Sequence, residues 1–196
     1  GNTFFYYTYA VAASEVEIDV LTGDFTVLRS DILFDIGKSL NPLIDIGQIE
    51  GGFVQGIGYV TMEEVTYQGA KETPRKGYPD GAITSTNTWE YKPPGSQSIP
   101  LDMRVKIYDN SGTTLERKGP KLDAAAVKSS KGIGEPPLVL ANSVFFAIKQ
   151  AIQAFYNDQN HDQWVSMDAP ATVARIQSAC RLAIKDFKLT SNKNQT

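Results

Sequence analysis

The residues Lys131-Gly132-Ile133-Gly134-Glu135-Pro136-Pro137 place one carboxylate, Glu135, between a flexible backbone and a stiff one. Gly132 and Gly134 admit positive φ and close approach of another chain. Pro136 drives Glu135 towards an extended conformation. Pro136-Pro137 supplies the fixed φ favoured at the first position of a helix. Leu138 to Tyr156 reads as one long helical stretch, so Glu135 falls at or just before its N-terminus. The helix dipole favours an ionised carboxylate there by roughly 0.3–1 kcal/mol. A fixed anion on a rigid corner can act as a general base. The plainer reading is an acidic cap with no chemistry.

A second group of residues shapes a surface rather than a reaction. Gly47, Gly51, Gly52, Gly56 and Gly58 fall within Leu43 to Met62. Each interior Gly costs a helix about 1 kcal/mol relative to Ala. Their spacing, Gly47-x-x-x-Gly51 and Gly52-x-x-x-Gly56, strips one side of a helix, which makes sense only if a backbone or a flat ligand presses there. Gln48 and Gln55 lie on or near that surface, either to cap backbone groups or to hydrogen-bond a cofactor edge. Other polar residues carry plainer readings. Asp31 and Asp35 are satisfied by backbone or by Lys and Arg neighbours rather than by a metal. Glu63 and Glu64 are adjacent, point apart, and make no two-carboxylate glycosidase pair. His161, the only histidine, sits in a polar loop, and Cys180, the only cysteine, sits on an apolar helix face as a packing residue.

One cysteine excludes an intramolecular disulfide and any Cys-ligated iron–sulfur or zinc site within this chain, and it points to a reducing compartment. The 196 residues are 41% hydrophobic with a net charge of −3, enough for one domain or a large piece of one. No basic stripe invites nucleic acid. The sparsely charged tract Ile44 to Tyr59 is too interrupted and Gly-rich to span a bilayer. The opening Gly1-Asn2-Thr3-Phe4-Phe5 reads as mid-strand, with no signal peptide, as in a piece excised from a longer polypeptide.

The elements that must hold these residues follow from periodicity. Thr8 to Val20 alternates, with Val16, Ile18 and Val20 opposite Glu15, Glu17 and Asp19, and turns at Leu21-Thr22-Gly23-Asp24 into a strand from Phe25 to Phe34. Asn41 and Pro42 cap and open the Gly-rich helix. A strand starts at Glu63 to Tyr67. Gln68 to Gly95 is an extended loop with a short strand around Trp89 to Tyr91. Ile99 to Tyr108 is a strand closed by a turn at Asp109 to Gly112. Pro137 to Phe155 is a buried helix that emerges at Lys149, Gln150 and Gln153. A last helix begins at Asp168-Ala169-Pro170 and turns Val173, Ile176, Cys180, Ile184 and Phe187 inward. The fold class is α+β: antiparallel hairpins and a mixed sheet packed on the Gly-rich, buried and C-terminal helices. Residues 190–196 form a polar, disordered tail.

In order, Ser14 to Gly23, Ser39-Leu40-Asn41-Pro42, Asp45 to Gly56, Gly132 to Pro137 and Phe145 to Lys149 resemble the C-terminal part of the molybdenum-binding subunit of the xanthine dehydrogenase and aldehyde oxidase family. Asp168 to Thr172, with Arg175-Ile176 and Ala179-Cys180, is more similar to the eukaryotic xanthine dehydrogenases. The resemblance implies that residues 1–189 are a piece of a larger molybdopterin-binding domain. It also implies that Glu135 is the family's general base on the metal-bound hydroxide, and that Gln48 contacts the molybdopterin; Gln55 is a supporting or structural residue. The implied metal is held by the pterin, so Cys and His ligands are not required of this chain. Electrons would leave through [2Fe–2S] clusters to FAD and then to NAD or oxygen. The implied substrate is a purine, with an aldehyde or another N-heterocycle as the alternative, and a non-catalytic interaction module as the alternative of a different class. Implied partners are the iron–sulfur and flavin modules of the remaining polypeptide and a second copy in a homodimer, in the cytoplasm or the peroxisome, with neither nucleic acid nor membrane. Those modules and the substrate-clamping residues are missing here, so the piece alone should be inactive. Gln68 to Asn87 is longer than the family's pattern.

Overall fold

Alternation in the first thirty residues becomes a hairpin. In the computed structural model, which describes residues 4, 6–69, 77–108, 127–160 and 163–182, β1 (Ala10–Ile18) pairs antiparallel with β2 (Phe25–Phe34), with a bulge between Glu15 and Val16. Glu15, Glu17 and Asp19 face solvent while Val16, Ile18 and Val20 turn inward. The turn is set by Asp19, whose Oδ1 accepts from the Leu21 N–H at 2.8 Å and whose carbonyl accepts from Gly23 at 2.7 Å. Gly23 has φ +79°, and a Cβ there would lie 2.2 Å from the Val173 carbonyl. Only glycine lets this turn touch the C-terminal helix. β3 (Asp102–Ile107) runs parallel to β2 on its other edge, giving a three-stranded mixed sheet in the order β1-β2-β3.

Among the described residues, four α-helices pack on the sheet or against each other: α1 (Pro42–Thr61), α2 (Pro137–Leu140), α3 (Asn142–Asp158) and α4 (Val173–Cys180). The core joins Ile32, Phe34, Ile49, Phe53, Ile57, Val144, Ile148, Ile152 and Ile176, each at most 2% exposed. By length and composition, Pro137–Asp158 could cross a membrane, a tract the composition survey passed over. Val144, Phe145, Ile148 and Ile152 instead pack into this core against β1 and α1.

Four expectations are corrected. Glu63 to Tyr67 forms no strand, only an isolated bridge from Tyr67 to Ile83. Trp89 to Tyr91 is a turn, closed by Asn87, whose carbonyl accepts from Tyr91 and whose Oδ1 accepts from the Trp89 N–H. The run from Leu138 to Tyr156 is divided at Ala141, where backbone bonds tighten to Leu138 and the Asn142 amide donates to the Val139 carbonyl at 2.8 Å. Its first half is also less buried than its composition suggests, with Val139 68% and Phe146 57% exposed. The last helix starts at Val173, where the Thr172 hydroxyl accepts from the Arg175 N–H; Asp168 to Pro170 lie before it. The turn expected at 109–112, His161, the inward residues Ile184 and Phe187, and the tail lie outside the described residues.

Candidate functional site

The loop 131–137 is built from its two ends. Upstream, Lys128 and Ser129 take φ +50° and +65°, and the chain is fastened to the end of β2 by a Gly37–Ser130 bridge and by Lys38 N–H donating to the Ser129 carbonyl. Lys131 N–H donates to the Ile36 carbonyl at 2.9 Å. Its Nζ donates to Asp35 Oδ2 at 2.7 Å and to the Tyr7 carbonyl at 2.8 Å, in an ion pair whose side chains are 1% and 6% exposed. Asp35 Oδ1 also accepts from the Gly37 N–H. Gly132 N–H donates to the Tyr6 hydroxyl at 2.9 Å. Downstream, the Glu135 carbonyl accepts from Leu138 N–H at 3.0 Å, and Pro137 opens α2.

The Gly-rich helix meets this loop as close approach requires. Asn41 Oδ1 caps α1 by accepting from Ile44 N–H, Pro42 occupies its first turn, and Ser39 Oγ donates to buried Asp45 at 2.5 Å. A Cβ on Gly52 would lie 2.6 Å from the Gly134 carbonyl, and one on Gly56 would lie 2.4 Å from the Leu138 carbonyl. Gly47 and Gly51 have nothing within 4 Å of a Cβ position. Four of the glycines therefore form two stripes rather than the single bare side expected, while the fifth, Gly58, packs against Glu63 and Pro94. Gly51 and Gly52 are consecutive, so the helix turns them about 100° apart. One stripe seats the loop. The other borders an open groove of about 420 Å³ shared with Val54, Ile99, Pro100 and Met103.

Gln48 lies between the two stripes in helical phase, and Gln55, seven residues on, shares that strip. Both are exposed. A Cβ on Gly134 would come within 3.2 Å of Gln48 Oε1, so Gln48 sits beside the residue that precedes Glu135. Glu135 is itself exposed, and its carboxylate has no hydrogen-bond partner among the described residues. The helix it precedes, α2, is a single turn of four residues. Ala141 joins α2 to α3 with helical φ −64° and ψ −12°.

The remaining candidates follow their plain readings. Arg29 holds Asp31 at 2.6 Å, and its charge and hydrogen bond keep that carboxyl below the usual range. Glu63 accepts from the Tyr91 hydroxyl, while Glu64 pairs with Arg175 at 2.6 Å. Cys180 is 2% exposed, and burial pushes its thiol up. No group of His, Cys, Asp or Glu among the described residues could hold a metal ion. A metal at this edge would have to arrive within a larger group. The open glycine stripe and the two exposed amides fit such a group, because they combine bare backbone with hydrogen-bonding capacity. The residue that sequence reasoning passed over is Lys131. Its signal was a lone cation beside glycines, with Asp35 distant in sequence.

Comparisons with known proteins bear on this geometry. The sequence profile described as "Molybdopterin cofactor-binding domain" matches residues 1–100. The chain is 47% identical over 183 residues to the xanthine dehydrogenase/oxidase of Mus musculus and 44% identical over 180 residues to the xanthine dehydrogenase of Dictyostelium discoideum. Each match covers 92% of this chain and 12% of the relative, so the chain spans about an eighth of their length. The structure of quinoline 2-oxidoreductase from Pseudomonas putida 86 superposes with a TM-score of 0.62 at 26% identity, over 85% of this chain and 18% of that one. A profile match over half the chain, joined to a fold shared with such an enzyme, settles the kinship: the chain belongs to the molybdopterin cofactor-binding domain family of the molybdenum hydroxylases.

Proposed function

We propose that this chain is the C-terminal portion, residues 1–189, of the molybdenum-binding domain of a hydroxylase acting on purines, with Glu135 as its general base and Gln48 holding the molybdopterin. The observation that carries the reading is the seating of the Glu135 loop. It is fastened to β2 on one side and to the Gly52–Gly56 stripe on the other, and the residue that precedes the exposed Glu135, Gly134, lies beside the exposed amide of Gln48. The cofactor, when bound, supplies the two-electron redox chemistry. Gln48 would offer it hydrogen bonds, and the bare backbone at Gly47 and Gly51 would leave room for its bulk. Glu135 takes the proton from the oxygen nucleophile as that oxygen attacks the electrophilic carbon of the substrate, and proton removal sharpens the nucleophile. The preference for a purine rests on the two relatives named as xanthine dehydrogenases. On this reading, the [2Fe–2S] and FAD modules and the substrate-clamping residues come from the rest of the polypeptide.

The test is Glu135→Ala in the complete natural polypeptide, with molybdenum content measured beside turnover. Normal molybdenum with turnover reduced roughly 10²–10⁴-fold supports the base. Turnover within a few fold of the parent sinks it. Parallel assays on xanthine, an aromatic aldehyde and quinoline decide the substrate class, and a higher kcat/KM on either of the latter two overturns the purine assignment.

A further inference from the structure

We propose that Lys131 is the positioning residue of the Glu135 loop, acting through its buried pair with Asp35. The proposal rests on the reading of Glu135 as the base. Both the backbone and the side chain of Lys131 are tied to the same strand end: N–H to the Ile36 carbonyl, Nζ to Asp35 at 2.7 Å. The same Nζ reaches the Tyr7 carbonyl, and the next residue, Gly132, donates to the Tyr6 hydroxyl. Lys131 thus joins three segments far apart in sequence, four residues ahead of Glu135. From there to Pro136 the chain contains two glycines, which by themselves leave the backbone free to wander. Upstream, two non-glycine residues are held in the left-handed region, a conformation that persists only where the surroundings over-determine it. A buried ion pair is weak evidence for stability, since an apolar pair of similar volume often folds as well or better. Fixing a loop is what the apolar pair would not reproduce.

That difference defines the experiment. In the complete natural polypeptide, Lys131 and Asp35 are replaced together, Lys131→Met with Asp35→Leu, which leaves no uncompensated buried charge. Asp35→Asn, which keeps the acceptor for Gly37, serves as the second variant where the double replacement fails to fold. Three quantities are read: molybdenum content, hydrogen exchange of the 131–135 amides, and kcat with KM. The expected result is near-normal molybdenum and amide exchange in the loop accelerated by about tenfold or more. It includes kcat reduced roughly 10- to 100-fold with KM little changed, as a small misplacement of a reacting group produces. In a Glu135→Ala background the same replacement should change turnover by less than about twofold, because the two residues act as a unit. Unchanged loop exchange, parental kcat, or a loss that adds in full to that of Glu135→Ala overturns the proposal. Loop exchange is read without turnover, so a failure of Glu135 as base is visible separately, in the single Glu135→Ala variant.

Discussion

At the scale of the residue, burial and hydrogen bonding divide the polar groups into those already satisfied and those left to act. Asp31, Asp35, Glu63 and Glu64 all have partners within the chain, whereas Glu135 and Gln48 are exposed, with Gln48 beside Gly134 of the loop. Type and spacing were enough to read the satisfied aspartates. They did not reveal that Lys131 is the partner of Asp35, because 96 residues separate the two and only the fold closes that distance. Cys180 carries a prediction at this scale. Its thiol is pushed up by burial, so the folded state favours the neutral form. Its contribution to stability is fully present below the unfolded thiol value of about 8.5 and is lost as pH rises through the folded value. Urea titrations across alkaline pH should show the transition midpoint falling, and Cys180→Ala should flatten that fall. A slope unchanged by the substitution would contradict the assignment. Thiol reagents should label Cys180 only as fast as the chain opens.

The elements show where periodicity suffices and where it does not. The hairpin, the third strand and the capped Gly-rich helix carry local signals: alternation, a Thr-Gly-Asp turn, an Asn cap followed by Pro. Their bounds match the sequence reading closely. The strands expected at 63–67 and 89–91 lack any ladder partner beyond one bridge, and a β-rich composition without a neighbour makes no strand. The glycine pattern of α1 was legible as a close-approach surface, but not its division into a loop-facing and an open stripe. That division yields opposite expectations for one substitution. Gly52→Ala and Gly56→Ala should destabilise the protein by roughly 1–3 kcal/mol, because a Cβ meets backbone carbonyls. Gly51→Ala should be neutral or stabilising by up to about 1 kcal/mol, since its Cβ meets nothing within 4 Å and glycine is a poor helix former. Thermal or urea unfolding of the three variants checks this, and equal effects at positions 51 and 52 would refute the two-stripe description.

For the whole molecule, the sheet and helices enclose one core yet leave large apolar side chains outside it. Leu43 is 83%, Leu101 74%, Tyr59 70%, Trp89 86% and Trp164 78% exposed. The chain spans about an eighth of its relatives' length, and we expect the rest of the polypeptide to cover part of this surface. Produced by itself, residues 1–196 should bind a hydrophobic dye strongly, self-associate at micromolar concentration and show no hydroxylase turnover. The complete polypeptide should show weak dye binding. A monodisperse isolated chain that leaves the dye dark would mean that these side chains need no cover. By itself the sequence determined the hairpin, the third strand and the capped Gly-rich helix, and that a carboxylate stands on a Gly-Pro corner, because capping, turn chemistry and periodicity act within a few residues. Only the tertiary structure decided that the Gly134 carbonyl rests on Gly52, that Lys131 closes on Asp35, and that Gln48 borders the Glu135 loop. Those contacts join residues up to 96 positions apart in sequence, and nothing local to either partner encodes that they meet.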